Sequence, residues 1–329
     1  MKLASIQNNK RDGQLVVVNK ELTHAIAVPE IALTLQDALE RWDICESKLE
    51  RVSKALNQGT LSSAFAFHMD QALAPLPRAY QWLDGSVYFP HRSLLTRALG
   101  KEVIDNPREG LYMYQGASDH MIGCQQPIRL PTDQWAVDFE AEVGIITDDV
   151  PMNVSEEEAK SHIKLIVLLN DVSLRDVQAQ EFKSGFGFLQ SKPATSFSAV
   201  AVTPDELENH WDGSRLHLPI FSTLNGIRFG WPNAGQDMAY SYPEIISFAS
   251  KSRFLTAGTI IGGGTITNTA YKNGSSCIAE RRALETLEKG EAITPFMKFG
   301  DRIQIDMKDA NGDSIFGEIN QVLMPYKKA

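Results

Sequence analysis

The chain reads as an α+β protein rich in strands, with a small N-terminal α/β domain ahead of a larger β-rich body. Three observations carry this reading. Beyond residue 80, apolar runs broken by Gly, Asn and Pro recur at strand length. Helical periodicity is sparse; its one long instance comes early, at Leu35, Leu39, Trp42, Cys45, Leu49, Val52 and Leu56. Between the two regions lies the Pro-rich stretch "ALAPLPRAY" (72–80), which reads as a linker and divides residues 1–78 from 79–329.

Taken in order, "KLASIQ" and "QLVVV" are strands joined by the turn "RDG". The helix that follows has Thr34 as its N-cap, Asp37 three residues on, and Gly59 at its stop. In the body, "WAVDFEAEVGII", "HIKLIVLLN", "SAVAVT", "HLPIFSTLNGIRFG" and "GTIIGG" are strand candidates. "RIQIDM" and "SIFGEINQV" flank "KDANGD", whose Asn311-Gly312 suits a hairpin turn. Helices are expected at about 155–162, 173–183 and 242–252, the first opened by a Ser155–Glu158 capping box.

Composition narrows the function. A chain of 329 residues with 43% hydrophobic and 22% charged content is expected to be a folded, soluble protein. A net charge of −9, without any Lys/Arg cluster interleaved with aromatics, argues against nucleic acid as a partner. No apolar run approaches a membrane span, and the N-terminus has no signal-peptide pattern. Cys45, Cys124 and Cys277 are odd in number and far apart, which fits a reducing cytoplasm and forms neither a disulfide framework nor a zinc motif.

The segment from Trp135 to Ile146 raises a chemical question. As one strand it would place Asp138, Glu140 and Glu142 on a single face, the two Glu roughly 7 Å apart. Spacing alone leaves two readings open: an acidic outer face in water, or carboxylates converging on one cation. The apolar run Ile163–Leu169 then ends in Asn170-Asp171, and strand ends commonly carry functional side chains. Asp171, Arg175 and Gln178 follow at i, i+4 and i+7, either as a local ion pair or as groups delivered to one edge. Three carboxylates without Cys or His nearby suit a hard cation, Mg²⁺ first, with Mn²⁺ and Ca²⁺ as the other candidates.

Further positions have both a bland and a chemical reading. Lys192, beside Pro193 and ahead of Thr195 and Ser196, is either an exposed loop lysine or a stabiliser of oxyanion charge. "TIIGGGTITN" matches neither G-x-G-x-x-G nor a Walker loop. It is a plain turn, or a close backbone approach to a small ligand with Thr265 as donor. His120, in "MYQGASDHMIG", is a surface histidine or a general base for water.

In order and spacing, these pieces resemble the fumarylacetoacetate hydrolase family over the C-terminal two-thirds of the chain. "DFEAEVGII" is similar to the family's D-[FY]-E-x-E strand, which implies Glu140 and Glu142 as metal ligands. "LNDVSLRDVQ" resembles its N-D-x-[ST]-x-R-D-x-Q segment, implying Asp171 as third ligand and Arg175 and Gln178 as substrate contacts. Lys192 matches the family's loop lysine, and "GGGTITN" its late G-T turn, with Thr265 as a substrate contact. The opening "MKLASIQNNKRDGQLVVV" resembles the small N-terminal domain of longer bacterial members, and the closing hairpin also matches.

The resemblance implies a mixed β-roll, a homodimer and a keto-acid substrate. It also implies a water-activating histidine with an acid partner, here His120 and Glu280. In the mammalian type a further Asp ligand lies seven residues before that histidine; Met113 stands there relative to His120, so a three-carboxylate site is the expected model. The implied activity is metal-dependent hydrolysis of a C–C bond in a β-diketo acid, in aromatic-compound catabolism. The same site could instead isomerise, hydrate or decarboxylate an α-keto acid. A non-catalytic metal-stabilised binding protein is the alternative of another class.

Overall fold

The computed structural model describes residues 1–328. Four short strands open the chain: β1 (Lys2–Ile6), β2 (Gln14–Val18), β3 (His24–Ala27) and β4 (Phe65–Ala66). Next come β5 (Trp82–Gly85), β6 (Met113–Gln115), β7 (Ile128–Leu130), β8 (Val137–Asp138) and β9 (Ala141–Thr147). The long β10 (Ile163–Asn170) leads to β11 (Ser173–Leu174), β12 (Ser196–Phe197) and β13 (Ala201–Val202). Then follow β14 (Phe221–Leu224), β15 (Ile227–Gly230), β16 (Ile260–Gly262), β17 (Arg302–Asp306) and β18 (Ile319–Pro325). The helices are α1 (Leu35–Leu39), α2 (Trp42–Asn57), α3 (Phe89–Ala98), α4 (Glu156–Ala159), α5 (Arg175–Ser184), α6 (Tyr242–Ser250) and α7 (Ile278–Lys289).

An 11-stranded mixed sheet organises the molecule, in the order β4-β3-β2-β1-β13-β10-β9-β16-β5-β6 with β12 also on β10. A second, 5-stranded sheet runs β15-β14-β17-β18-β7, and neither sheet closes into a barrel. The first 78 residues build no sheet of their own, because β1 pairs with β13 and so extends the main sheet. Both faces of β10 are buried. Leu165, Val167 and Leu169 face the core beneath α1 and α2, while Ile166 and Leu168 face the core on the other side. That explains a continuous apolar run rather than an alternating one. Among the described residues no helix is long and apolar enough to cross a membrane.

Local readings hold with informative departures. Asp37 N–H donates to Thr34 Oγ1 at 3.1 Å, and the Ser155–Glu158 capping box forms. The single helix expected over Leu35–Leu56 is two, because Arg41 leaves helical geometry (φ −132°, ψ 35°) while its guanidinium reaches back to Asp37 and the carbonyl of Ile31. "WAVDFEAEVGII" is not one strand either. β8 pairs with β11 and β9 with β10, and Phe139-Glu140 carry the chain from one sheet to the other. The acids therefore do not share one strand face, and all three are buried. Two helices, α3 and α7, were not read in the sequence. α3 offers a short apolar stripe (Pro90, Leu94), and α7 buries an acid among Ile278 and Ala283.

Candidate active site

The site spans five adjacent strands of the main sheet. Gly144 of β9 pairs with Gly262 of β16, which pairs in parallel register with Asp84 of β5, itself opposite Tyr114 of β6. Paired residues share a face, and so do residues two apart; Glu142 therefore lies on the same face as Asp84. Glycine at 262 is a steric requirement. A Cβ there would lie 2.4 Å from Asp84 Oδ1 and 2.6 Å from the Trp82 ring. Gly264, at φ +88°, turns its N–H onto Asp84 Oδ1 at 3.1 Å. The glycine run is a cradle for an acid rather than for a phosphate.

Asp84, Glu142 and Asp171 each bring a carboxylate oxygen within 4.8 Å of the others, and all three are buried. Neither oxygen of Glu142 has a hydrogen-bond partner among the described residues. Burial pushes the Glu142 carboxyl well above its ordinary range, and the charges of Asp84, Asp171 and Glu140 push the same way. Asp84 is raised likewise, by burial first and by Asp171 next, against the pull of Lys192. A buried orphan carboxylate is costly unless a charge compensates it. An all-oxygen donor set of this kind fits a hard divalent cation such as Mg²⁺, Mn²⁺ or Ca²⁺.

Glu140 occupies a different environment. Its Oε2 accepts from Lys192 Nζ at 2.6 Å and its Oε1 from Arg175 at 2.8 Å. Burial opposes the charge on Glu140, but Lys192 and then Arg175 outweigh it and hold the carboxyl below its usual range. Lys192 Nζ also donates to Asp171 Oδ2 at 2.6 Å and to Ser173 Oγ at 2.8 Å, which uses all three of its N–H groups. Desolvation opposes that ammonium; Asp171 and Glu140 reverse the effect and raise it above its ordinary value. Backbone geometry fixes the set: Glu140 N–H donates to Asn170 Oδ1, and Asp171 N–H to the carbonyl of Glu140, each at 3.0 Å. Thr195 Oγ1 and the Tyr114 hydroxyl complete the contacts to Asp171.

Asp138 supports this arrangement from behind. It accepts two hydrogen bonds from Arg175, and its oxygens also receive the N–H groups of Ile278 and Ala279 at the start of α7, at 2.6 and 2.9 Å. A carboxylate at a helix N-terminus is electrostatically favoured. The expected i, i+4 pairing of Asp171 with Arg175 does not form, because Arg175 opens α5 and turns toward Asp138 and Glu140; its other contact is Gln178 Oε1 at 3.1 Å.

The next strand–helix step supplies a histidine. α3 packs against α7, which places His91 Nδ1 2.7 Å from Glu280 Oε1. Glu280 is buried, accepts the Thr267 hydroxyl on the same oxygen and takes the Ser276 N–H on the other at 3.1 Å. The backbone of Glu140 bridges that of Cys277 at the start of α7, and Ala141 N–H donates to the carbonyl of Ser276 at 2.9 Å, so the helix that carries Glu280 begins beside Glu140. Cys277 caps α7, its sulfur receiving the Glu280 N–H at 3.4 Å.

The expected pairing of His120 with Glu280 is therefore corrected. His120 is exposed, and the ring that meets Glu280 is that of His91. Asp84 stands seven residues before His91, so the spacing that failed at Met113 is present elsewhere in the chain. Glu142 and Asp171 lie in the carboxylate cluster with Asp84, while Glu140 is joined to them through Lys192. Lys192 is buried rather than an exposed loop lysine, and Gln178 is buried beside Arg175. Thr265 is buried in the glycine turn, whereas its neighbour Thr267 makes the contact to Glu280. Asp84, His91, Tyr114 and Thr267 were missed. The D-x₆-H spacing in "DGSVYFPH" was the one signal that could have found the first two.

Residues 86–323 match the family model "Fumarylacetoacetate (FAA) hydrolase C-terminal", and residues 1–78 match "Fumarylacetoacetase N-terminal domain 2". An oxaloacetate tautomerase from Xenopus laevis is 30% identical over 162 residues, covering 48% of this chain and 48% of that protein. A 2,4-didehydro-3-deoxy-L-rhamnonate hydrolase from a Sphingomonas strain is 30% identical over 156 residues, covering 46% and 52%. The chain thus spans about half the length of these curated relatives. Maleylpyruvate hydrolase from Sphingobium sp. SYK-6, solved with manganese(II) and pyruvate, superposes with a TM-score of 0.65 at 17% identity over 99% of this chain and 100% of that one. With a family model spanning most of its length, the chain belongs to the fumarylacetoacetate hydrolase family.

Proposed function

We propose that the protein is a divalent-metal-dependent hydrolase that cleaves a C–C bond in a 2,4-diketo acid of acylpyruvate or fumarylacetoacetate type. The observation that carries this reading is the His91–Glu280 pair, set next to Glu140 by the backbone bridge from Glu140 to Cys277. An enol–keto tautomerisation has no need of an activated water, whereas hydrolysis does. The manganese(II) and pyruvate in the maleylpyruvate hydrolase structure are the class of cation and keto acid that this donor set would take.

Asp84, Glu142 and Asp171 would hold the cation, with Glu140 beside them across Lys192. When bound, it would supply Lewis-acid polarisation of the keto-acid oxygens and relieve the repulsion among the carboxylates. His91 would act as general base. With Nδ1 held by Glu280, Nε2 is the nitrogen left to take a proton from water as the water oxygen attacks the distal carbonyl. The C–C bond electrons would depart with the keto-acid half as an enolate, and the same nitrogen would return the proton to its carbon. Lys192 and Arg175 would stabilise anionic oxygens, Lys192 by exchanging one of its present acceptors.

The relative named as an oxaloacetate tautomerase supports a second reading, in which the same cluster only polarises an α-keto acid. The two separate in one assay of acylpyruvates, fumarylacetoacetate and oxaloacetate, with Mn²⁺ or Mg²⁺ and with chelator. The hydrolase reading expects metal-dependent release of a carboxylic acid and a keto acid. A metal-loaded protein that interconverts oxaloacetate tautomers and cleaves none of the diketo acids would overturn it.

A further inference from the structure

The proposed hydrolysis uses His91 and Glu280 but has no role for the third group beside them. His91, Cys277 and Glu280 each present a ligand atom within 4.8 Å of the others, with Cys277 and Glu280 fully buried and His91 largely so. Nitrogen, sulfur and oxygen at one point differ in kind from the all-oxygen set of Asp84, Glu142 and Asp171. Ligand softness sorts cations between such sites. Carboxylates suit Mg²⁺, Mn²⁺ and Ca²⁺, whereas a thiolate with an imidazole suits Zn²⁺ and Co²⁺. Spacing along the chain hid this set, since Cys277 is far in sequence from His91, and α3–α7 packing brings them together.

We propose that His91, Cys277 and Glu280 form a second, inhibitory metal site, selective for zinc-type cations, adjacent to the carboxylate cluster. Binding there takes His91 and Glu280 out of their hydrogen bond and displaces the thiol proton to solvent, so water is no longer activated. No electrons are transferred; the thiolate, imidazole and carboxylate become ligands, and solvent completes the coordination. The inhibitory outcome rests on the hydrolase reading, but the site itself does not. Cys277 can be replaced mildly: Ser is a preferred helix N-cap and retains an acceptor for the Glu280 N–H.

The test uses the full chain loaded with saturating Mn²⁺, titrated with Zn²⁺ for inhibition and separately with Co²⁺ for absorbance. The native protein is expected to lose activity at low Zn²⁺, unrelieved by more Mn²⁺, and to develop a near-ultraviolet thiolate-to-cobalt charge-transfer band. C277S and C277A are expected to retain Mn²⁺-dependent turnover, to weaken Zn²⁺ inhibition by at least about tenfold, and to lack the band. If neither variant shifts the Zn²⁺ response, or if extra Mn²⁺ abolishes it, zinc is competing for the carboxylates and the proposal fails. The band and its loss in the variants read out the site even if no diketo acid is cleaved; absence of the band in the native protein overturns it.

Discussion

His91 Nδ1 and Glu280 Oε1 lie 2.7 Å apart although 189 residues separate them in the chain. Substitution should therefore act at His91 and not at His120. His91→Ala is expected to lower kcat for diketo-acid cleavage by about 10²–10⁴-fold with little change in metal affinity. His120→Ala, on an exposed side chain, should leave kcat within about twofold of the parent. Steady-state kinetics on both variants decide the matter; equal loss in the two would return the assignment to His120.

Glu142 has two buried oxygens with no hydrogen-bond partner among the described residues. Replacing it with neutral Gln removes a carboxyl whose ionisation burial and the charges of Asp84 and Asp171 oppose. Glu142→Gln should thus be at least as stable as the parent without metal, yet lose the rise in Tm that Mn²⁺ gives the parent. A thermal-shift series with Mn²⁺ and with chelator measures both. Lower stability of the metal-free variant would show that the Glu142 charge is compensated within the protein.

Lys192 is the opposite case, a buried cation shared by two buried carboxylates. Lys192→Met leaves Glu140 with Arg175 and the Ser173 hydroxyl, and Asp171 with hydroxyl donors alone. Urea denaturation of the metal-free protein should show a loss of about 3–5 kcal/mol, with Mn²⁺ restoring part of it. Unchanged stability would mean that Lys192 is not the charge that holds these acids together.

Metal affinity should fall with acid over an unusually high pH range. Glu142 and Asp84 have folded pKa values raised by burial and neighbouring charge, so protons compete with the cation above the ordinary carboxylate range. The same shifts mean that, without metal, these groups favour folding at low pH and lose that contribution as pH rises through their folded pKa values. Calorimetric titration with Mn²⁺ between about pH 5 and about pH 8 should show Kd decreasing as pH rises. A flat profile would place both carboxyls in the ordinary range.

Gly262 tests the cradle. Gly262→Ala puts a methyl 2.4 Å from Asp84 Oδ1, so the acid must move while the strands around it stay paired. Mn²⁺ affinity should drop by at least about tenfold, with far-ultraviolet circular dichroism unchanged. Unaltered affinity would exclude Asp84 from the metal site.

Local pattern made much of this molecule legible. Thr34 and Ser155 are caps because a side-chain oxygen answers an unpaired helical N–H nearby in sequence. Ile163–Leu169 announced a buried strand, and Asp171 just after it a strand-end acid. The break at Arg41 and the crossing at Phe139-Glu140 were not legible, since both leave the hydrophobic period intact. α7 escaped because its buried face includes Glu280, a residue that periodicity counts as solvent-facing.

The sequence by itself determined the β-rich class, the family resemblance and a set of closely spaced carboxylates open to either solvent or a cation. Tertiary structure alone decided which acids meet. Glu142 gains Asp84 only because β16 pairs with β5 and β9 at once, across two glycines. Glu140 turns instead to Lys192 and Arg175. His91 finds Glu280 only through α3 packing on α7. Sequence periodicity reports which way a side chain points from its own backbone. The energy of a buried charge depends on groups that strand register and helix packing bring from far along the chain.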